Sequence, residues 1–148
     1  MINPVDEGFL REHELAMALR RTGDLVIHEI DAGLSDFAVN FLQLSMLVAI
    51  ASGRAHSPAG IAQKLDVDRA VVTRALDKLE ANHFVQRRRS VDDRRNVLVS
   101  LTEPGAISFN KLCNVASAIL RARLGKVPSG ECEHLQCLLA LVRGVSNV

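Results

Sequence analysis

The stretch Asp68-Arg69-Ala70-Val71-Val72-Thr73-Arg74-Ala75-Leu76-Asp77-Lys78-Leu79-Glu80 decides the fold. At about 100° per residue, Val71, Val72, Ala75, Leu76 and Leu79 fall on one side, and Arg69, Ala70, Thr73, Arg74 and Asp77 on the other. The spacing predicts an amphipathic helix over 69–81, with Asp68 as its N-cap. Just upstream, Ser57-Pro58-Ala59-Gly60-Ile61-Ala62-Gln63-Lys64-Leu65 reads as a short helix, with Ser57 as N-cap and Pro58 at the first helical position. Asp66-Val67-Asp68 is a turn between them. Two helices joined by a tight turn make a helix-turn-helix.

Downstream, Phe84-Val85-Gln86-Arg87-Arg88-Arg89 and Asn96-Val97-Leu98-Val99-Ser100-Leu101 flank a polar, charged segment, Ser90-Val91-Asp92-Asp93-Arg94-Arg95. This predicts a β-hairpin with a charged tip. Thr102 and Glu103 open a helix reaching about Gly125, with Pro104 tolerated in its first turn. Pro128-Ser129 starts a last helix, whose apolar stripe is Cys132, Leu135, Leu138, Leu139, Val142 and Val145. Upstream, residues 9–32 read as a helix with Leu15, Leu19, Thr22, Val26 and Ile30 on one side. Gly33 is read as its stop, and Ser35 or Asp36 as the cap of a helix over 37–52 that Gly53 closes.

The chain has 148 residues, 18 basic and 17 acidic, with 48% hydrophobic residues and neither Trp nor Tyr. One domain of this length buries ~70% of its unfolded surface. The apolar content excludes a disordered chain. Three cysteines exclude a disulfide scaffold. Scarce aromatics argue against a stacking platform for single-stranded nucleic acid. The start, Met1 to Glu7, lacks the basic and apolar regions of a secretory signal. The longest uncharged run, 37–53, is 17 residues and carries Asn40, Gln43, Ser45 and Ser52. A membrane span needs ~20 mostly apolar residues, so this run is read as a core helix, and a cytoplasmic protein with no membrane partner is expected.

Charge is segregated. Residues 1–53 carry 3 basic and 8 acidic groups, residues 54–102 carry 10 and 6, and residues 103–148 carry 5 and 3. A basic middle fits a local polyanion contact; ordinary surface variation is the alternative. Patterns for a nucleophile elbow, a phosphate loop or a zinc protease are absent from the sequence. Cys132, His134 and Cys137 point in divergent directions on a helix and cannot share one metal. A non-enzyme with no cofactor and no metal is expected.

The helix-turn-helix run 57–65 and 68–80, followed by Asp93-Arg94-Arg95-Asn96-Val97-Leu98-Val99-Ser100-Leu101-Thr102 and then Gly105, resembles the MarR family of bacterial transcription regulators. The resemblance is sharp from about Gln43 to Gly105; outside that span it rests on helix order and length. It implies a mainly α fold with a small β-hairpin, a winged helix-turn-helix flanked by N- and C-terminal dimerisation helices. The implied division is 1–36 for the N-terminal dimerisation helix, 37–102 for the DNA-binding domain and 103–148 for the C-terminal dimerisation helices. One departure stands out: Asn82-His83 occupies the place before the first wing strand where the family commonly has Gly.

A helix of this kind fits the DNA major groove. Arg69 lies in the first turn, near the phosphates. Ala70 is small enough for a thymine methyl. Thr73 and Arg74 lie one turn on, where Arg can bridge guanine O6 and N7. Lys78 lies further along and suits phosphate. Ser57 and its helix start offer N–H groups to a phosphate. Arg89 is a further wing contact. By resemblance Asp93 and Arg95 brace the wing, with Arg95 also near the DNA, and Arg94 is left for a narrow minor groove. A homodimer would set two reading helices ~34 Å apart on a pseudo-palindromic operator, and repression follows from blocked polymerase access. Family members commonly answer to a small effector, often an aromatic acid. His13 and Arg20 are read as its carboxylate clamp, with Met17 beside them and Phe41 as an apolar wall; a solvated stripe that also holds Asp24 and Asp31 is the plainer reading. Two alternatives are a thiol-oxidation sensor using Cys113, Cys132 or Cys137, and a protein-binding winged helix without DNA affinity. The cysteines are more simply buried small hydrophobes. The peroxide-sensing mechanism of the family does not carry over, because no Cys precedes residue 113 and Tyr is missing.

Overall fold

A computed structural model describes residues 6–91 and 96–144. In chain order the elements are α1 (Glu7–Leu34), a short 3-10 turn (Ser35–Phe37), α2 (Phe41–Ala51), α3 (Pro58–Leu65), α4 (Arg69–Ala81), β1 (Val85–Arg89), β2 (Val97–Leu101), α5 (Glu103–Leu124) and α6 (Ser129–Val142). The strands pair antiparallel from Val85↔Leu101 to Arg89↔Val97. The core is the interior of the winged helix: Met46, Leu47, Ile61, Val72, Leu76, Leu79, Val85 and Val99 are almost fully buried. Ile30 and Leu34 of α1 and Leu112 of α5 join it.

The apolar and polar sides of α4 sort as the spacing requires. Val72, Ala75, Leu76 and Leu79 are buried, Val71 is half-buried, and the opposite side is exposed. The caps of α3 and α4 are also those read from the sequence. The Ser57 hydroxyl accepts from Gly60 N–H at 3.1 Å, and Asp68 accepts from Ala70 N–H at 2.6 Å.

The junction of α1 and α2 differs from the expectation. Gly33 does not stop α1, which runs on to Leu34. A Cβ at Gly33 would lie 2.6 Å from Ile119 Cδ1 and 3.3 Å from Val115 Cγ1. The glycine lies where side chains of α5 pack on α1, not at the helix end. Neither Ser35 nor Asp36 caps α2. The chain turns through the 3-10 segment and Ala38, at φ 53°, before Asn40 caps the helix in a reciprocal box with Gln43. Asp31 of α1 accepts from Phe41 N–H at 2.6 Å and ties the two helices together.

The flanking helices, read as dimerisation helices, carry much of their apolar stripes on the surface of the single chain. Leu15 and Leu19 lie on the predicted apolar side of α1 but are 60% and 36% exposed. On α6, Leu135, Leu138 and Val142 are exposed as well, while Ala140 is buried; Val145 lies outside the described residues. Both stripes are amphipathic as predicted, yet one chain does not cover them. Among the described residues no single helix is long and apolar enough to cross a membrane.

The wing is fastened to α5 at one point. Thr102 caps α5, its hydroxyl accepting from Gly105 N–H at 2.9 Å. The same hydroxyl donates in a short hydrogen bond to the carbonyl of His83. Thr102 N–H donates to Phe84 C=O at 3.1 Å. A Cβ on Gly105 would sit 2.0 Å from that carbonyl oxygen, so only glycine allows the helix start to come this close. At the departure from the family pattern, it is His83, not Asn82, that takes the left-handed backbone, at φ 60°.

Candidate nucleic-acid interface

The exposed side of α4 presents Arg69, Ala70, Thr73, Arg74 and Lys78. Beside it stand the start of α3 and the base of β2. Ser57, Arg69 and Thr73 line one hollow of about 250 Å³ together with Asn96 and Val97. The structure therefore brings together three of the residues read from the sequence and sets them against the wing. Ser57 uses its oxygen as a cap acceptor, which leaves its hydroxyl proton to donate outward. Thr73 is different: its hydroxyl donates to the Arg69 carbonyl at 2.9 Å, so it offers an outside partner its methyl group and an acceptor.

Several unpaired cations lie here. Among the described residues, Arg69, Arg74, Lys78 and Arg89 make no ion pair. Arg88 donates to the Gln86 side chain at 3.2 Å. Asp93, Arg94 and Arg95, read as wing brace and minor-groove contact, lie outside the described residues.

The sequence reading missed Arg87. Its guanidinium donates to Asp77 Oδ1 at 2.7 Å and to the Thr73 carbonyl at 3.3 Å, and lies 3.4 Å from Glu80 Oε2. Its backbone N–H donates to Glu80 Oε1 at 3.0 Å. The signal was present. Side chains alternate along a strand, so Arg87 shares its side with buried Val85, and an arginine turned inward needs an acidic partner.

The four residues read as an effector clamp are not brought together. Phe41 lines an apolar groove with Leu15, Leu19 and Val26 of α1 and Leu135 and Leu139 of α6. His13, Met17 and Arg20 do not line that groove. His13 stacks on Phe9 with ring centroids 6.0 Å apart, and Arg20 pairs with Asp24 at 3.4 Å in open solvent. A different cavity, of about 730 Å³, lies between α2, α5 and α6. Its wall is mostly apolar, with Leu44, Val48 and Leu120, and carries Ser117, Arg121 and Ser129. Cys113 and Cys132 also line it. Burial pushes the Cys113 thiol up, which disfavours the reactive thiolate. Cys113 and Cys132 are half-buried, but Cys137 is exposed and is not the core residue expected. Among the described residues no group of three His, Cys, Asp or Glu side chains is placed to hold a metal ion.

On the far side of α5, Arg123 clasps Glu29 of α1 through two hydrogen bonds, Nε to Oε2 at 2.7 Å and Nη2 to Oε1. This contact holds the Glu29 carboxyl below its ordinary value.

The MarR family profile matches residues 39–97. The HTH-type transcriptional regulator PrsX of Escherichia coli is 30% identical over 130 residues, which is 86% of this chain and 78% of that protein. Among solved structures, a mutant of MarR from E. coli complexed with operator DNA superposes with a TM-score of 0.80 at 23% identity, covering 93% of this chain and 99% of that one. CouR from Rhodococcus jostii, bound to p-coumaroyl-CoA, superposes with a TM-score of 0.81 at 21% identity, covering 90% and 94%. The two superpositions establish the winged-helix fold. Together with the likeness to PrsX over most of both sequences, they show that this chain belongs to the MarR family of transcription regulators, proteins that are not enzymes.

Proposed function

We propose that the chain binds operator DNA sequence-specifically as a homodimer and represses transcription until a small effector releases it. One observation carries the DNA reading: the exposed face of α4, with unpaired Arg69, Arg74 and Lys78, stands in one surface with the start of α3 and the base of the wing. A helix of this width fits a major groove while the flanking N–H groups and cations meet phosphate. Ser57, Arg69 and Lys78 serve the backbone, Ala70, Thr73 and Arg74 the bases, and Arg89, Arg94 and Arg95 the wing contacts, with Asp93 and Arg95 as its brace. The shared fold with a MarR–operator complex supports this assignment. The uncovered apolar residues of α1 and α6 support the dimer and the division into 1–36, 37–102 and 103–148.

For the effector, the cavity between α2, α5 and α6 is the better site. Its apolar wall suits a ring or chain, and the Arg121 guanidinium suits a carboxylate. CouR, of the same fold, binds an aromatic acyl thioester. His13, Met17, Arg20 and Phe41, the clamp read from the sequence, are the competing assignment, and they do not line one groove.

Titration against the chain's own upstream DNA and random DNA, by fluorescence anisotropy at several salt concentrations, tests the proposal. A preference of ~10³-fold with a steep salt slope is the expected result. Weak, equal binding to both DNAs favours the protein-binding alternative. Arg74→Ala should cost about 1–3 kcal/mol on specific DNA and little on random DNA, whereas Lys78→Ala should lower the salt slope by about 1. Equal losses on both DNAs for Arg74→Ala would remove base reading from that residue. In an effector screen, Arg121→Ala should abolish release by aromatic acids, and Arg20→Ala should not.

A further inference from the structure

Arg87 and Arg88 are wing cations that the DNA-binding assignment leaves unused, and of the two Arg87 is the one turned inward. It shares its strand side with Val85, which is 1% exposed, and its own side chain is only 25% exposed. It therefore points back at α4 rather than outward. There it touches three levels of one helix: the Thr73 carbonyl, the Asp77 carboxylate and the Glu80 carboxylate. The Glu80 carboxylate is in turn shared, one oxygen accepting the Arg87 backbone N–H and the other facing the guanidinium. Backbone and side chain of one strand residue are thus both fastened to the helix that carries Thr73 and Arg74.

We propose that Arg87 is a positioning residue that fixes the angle between the reading helix and the wing, and that it screens Asp77 and Glu80 from the phosphates. This rests on the operator-binding proposal above. The geometry calls for arginine: a planar fork reaches three acceptors at fixed angles, whereas a lysine ammonium is a single point charge on a flexible stem. The electrostatics point the same way. Asp77 and Glu80 are 59% and 42% exposed, on the helix that would enter the groove. Two uncompensated carboxylates there would repel a polyanion, and one guanidinium held between them removes half of that charge.

The test compares wild type, Arg87→Lys, Arg87→Ala, Asp77→Asn and the double variant Arg87→Ala/Asp77→Asn. In the free protein, hydrogen exchange should rise about tenfold in the hairpin over 85–101 for both Arg87 variants, and stay unchanged in α1 and α5. This readout needs no DNA, so it stands even if the operator proposal fails. On upstream DNA, Arg87→Lys and Arg87→Ala should each lose about tenfold in specific affinity with an unchanged salt slope. The double variant should cost no more than Arg87→Ala alone, because both changes break one contact. Unchanged exchange in the hairpin overturns the proposal. So does full affinity in Arg87→Lys, which would make charge alone sufficient. A salt slope lower by about 1 in Arg87→Ala, with equal losses on random DNA, would make Arg87 a phosphate contact instead. A wild-type protein that shows no DNA preference, yet loses hairpin protection in both variants, would refute operator binding and leave the clamp standing.

Discussion

The winged core and the flanking helices use apolar residues in opposite ways. In the core, the apolar side of α4 meets α2, α3 and β1, and Leu76 and Leu79 are fully buried. In the flanks, an equally regular stripe faces solvent: Leu15 and Leu19 on α1, Leu135 and Leu138 on α6. The amphipathic period alone does not tell where the partner surface comes from. In one region the chain supplies it. In the other a groove of about 500 Å³ between α1 and α6 remains open, as expected of helices completed by a second copy.

The comparison can be broken hardest at the core. Leu76→Ala should lower the unfolding free energy by about 2–5 kcal/mol in denaturant titration, because the site is closed on all sides. Next comes the joint between the core and α5. Gly105→Ala should cost about 1–3 kcal/mol, since the new methyl meets a backbone carbonyl that has no room to give. The flanks should answer otherwise. Leu135→Glu should leave a separated subunit stable to within about 0.5 kcal/mol, yet shift the protein from dimer to monomer in sedimentation. If it destabilises the subunit as Leu76→Ala does, the two regions are not distinct. The smallest effect concerns the Glu29–Arg123 clasp. The folded state holds this carboxyl below its ordinary value, so the clasp stabilises above the unfolded carboxyl range and is lost as pH falls through the lowered folded value. Glu29→Gln should therefore flatten the acid side of the stability–pH curve, lowering stability by a small constant amount at neutral and alkaline pH and leaving it unchanged once the carboxyl of the clasp is protonated.

Much of the core was legible because its signals are local. Ser57, Asp68 and Thr102 cap their helices within three residues of themselves, and α4 sorts its faces within its own length. What escaped was set by distant contacts. Gly33 has the sequence signature of a helix stop, but its role comes from Ile119 and Val115, far along the chain. Arg87 stands in a run of three arginines: strand alternation sets it apart from Arg88, but only the packing of β1 on α4 separates it from Arg89, which lies on the same side. Asn40 and Gln43 do form a local capping box, and that signal lay in plain sight; it was overlooked because the uncharged run 37–53 looked like one unbroken helix. For the effector clamp, helical spacing correctly put His13, Met17 and Arg20 on one side of α1, but spacing carries no information about what that side meets.

Thr102 joins the end of the wing, the end of α4 and the start of α5 through a single hydroxyl, and Gly105 lets the three backbones touch. That makes α5 a lever with its fulcrum at the reading head. Its 22 residues span about 33 Å, so a tilt of about 5° at the joint moves the far end by about 3 Å. The far end carries Arg121, Arg123 and Leu124, which border the cavity and the clasp to α1. On the operator-binding proposal, a ligand or partner that moved those residues by the width of a methyl group would turn α4 by a few degrees through this joint.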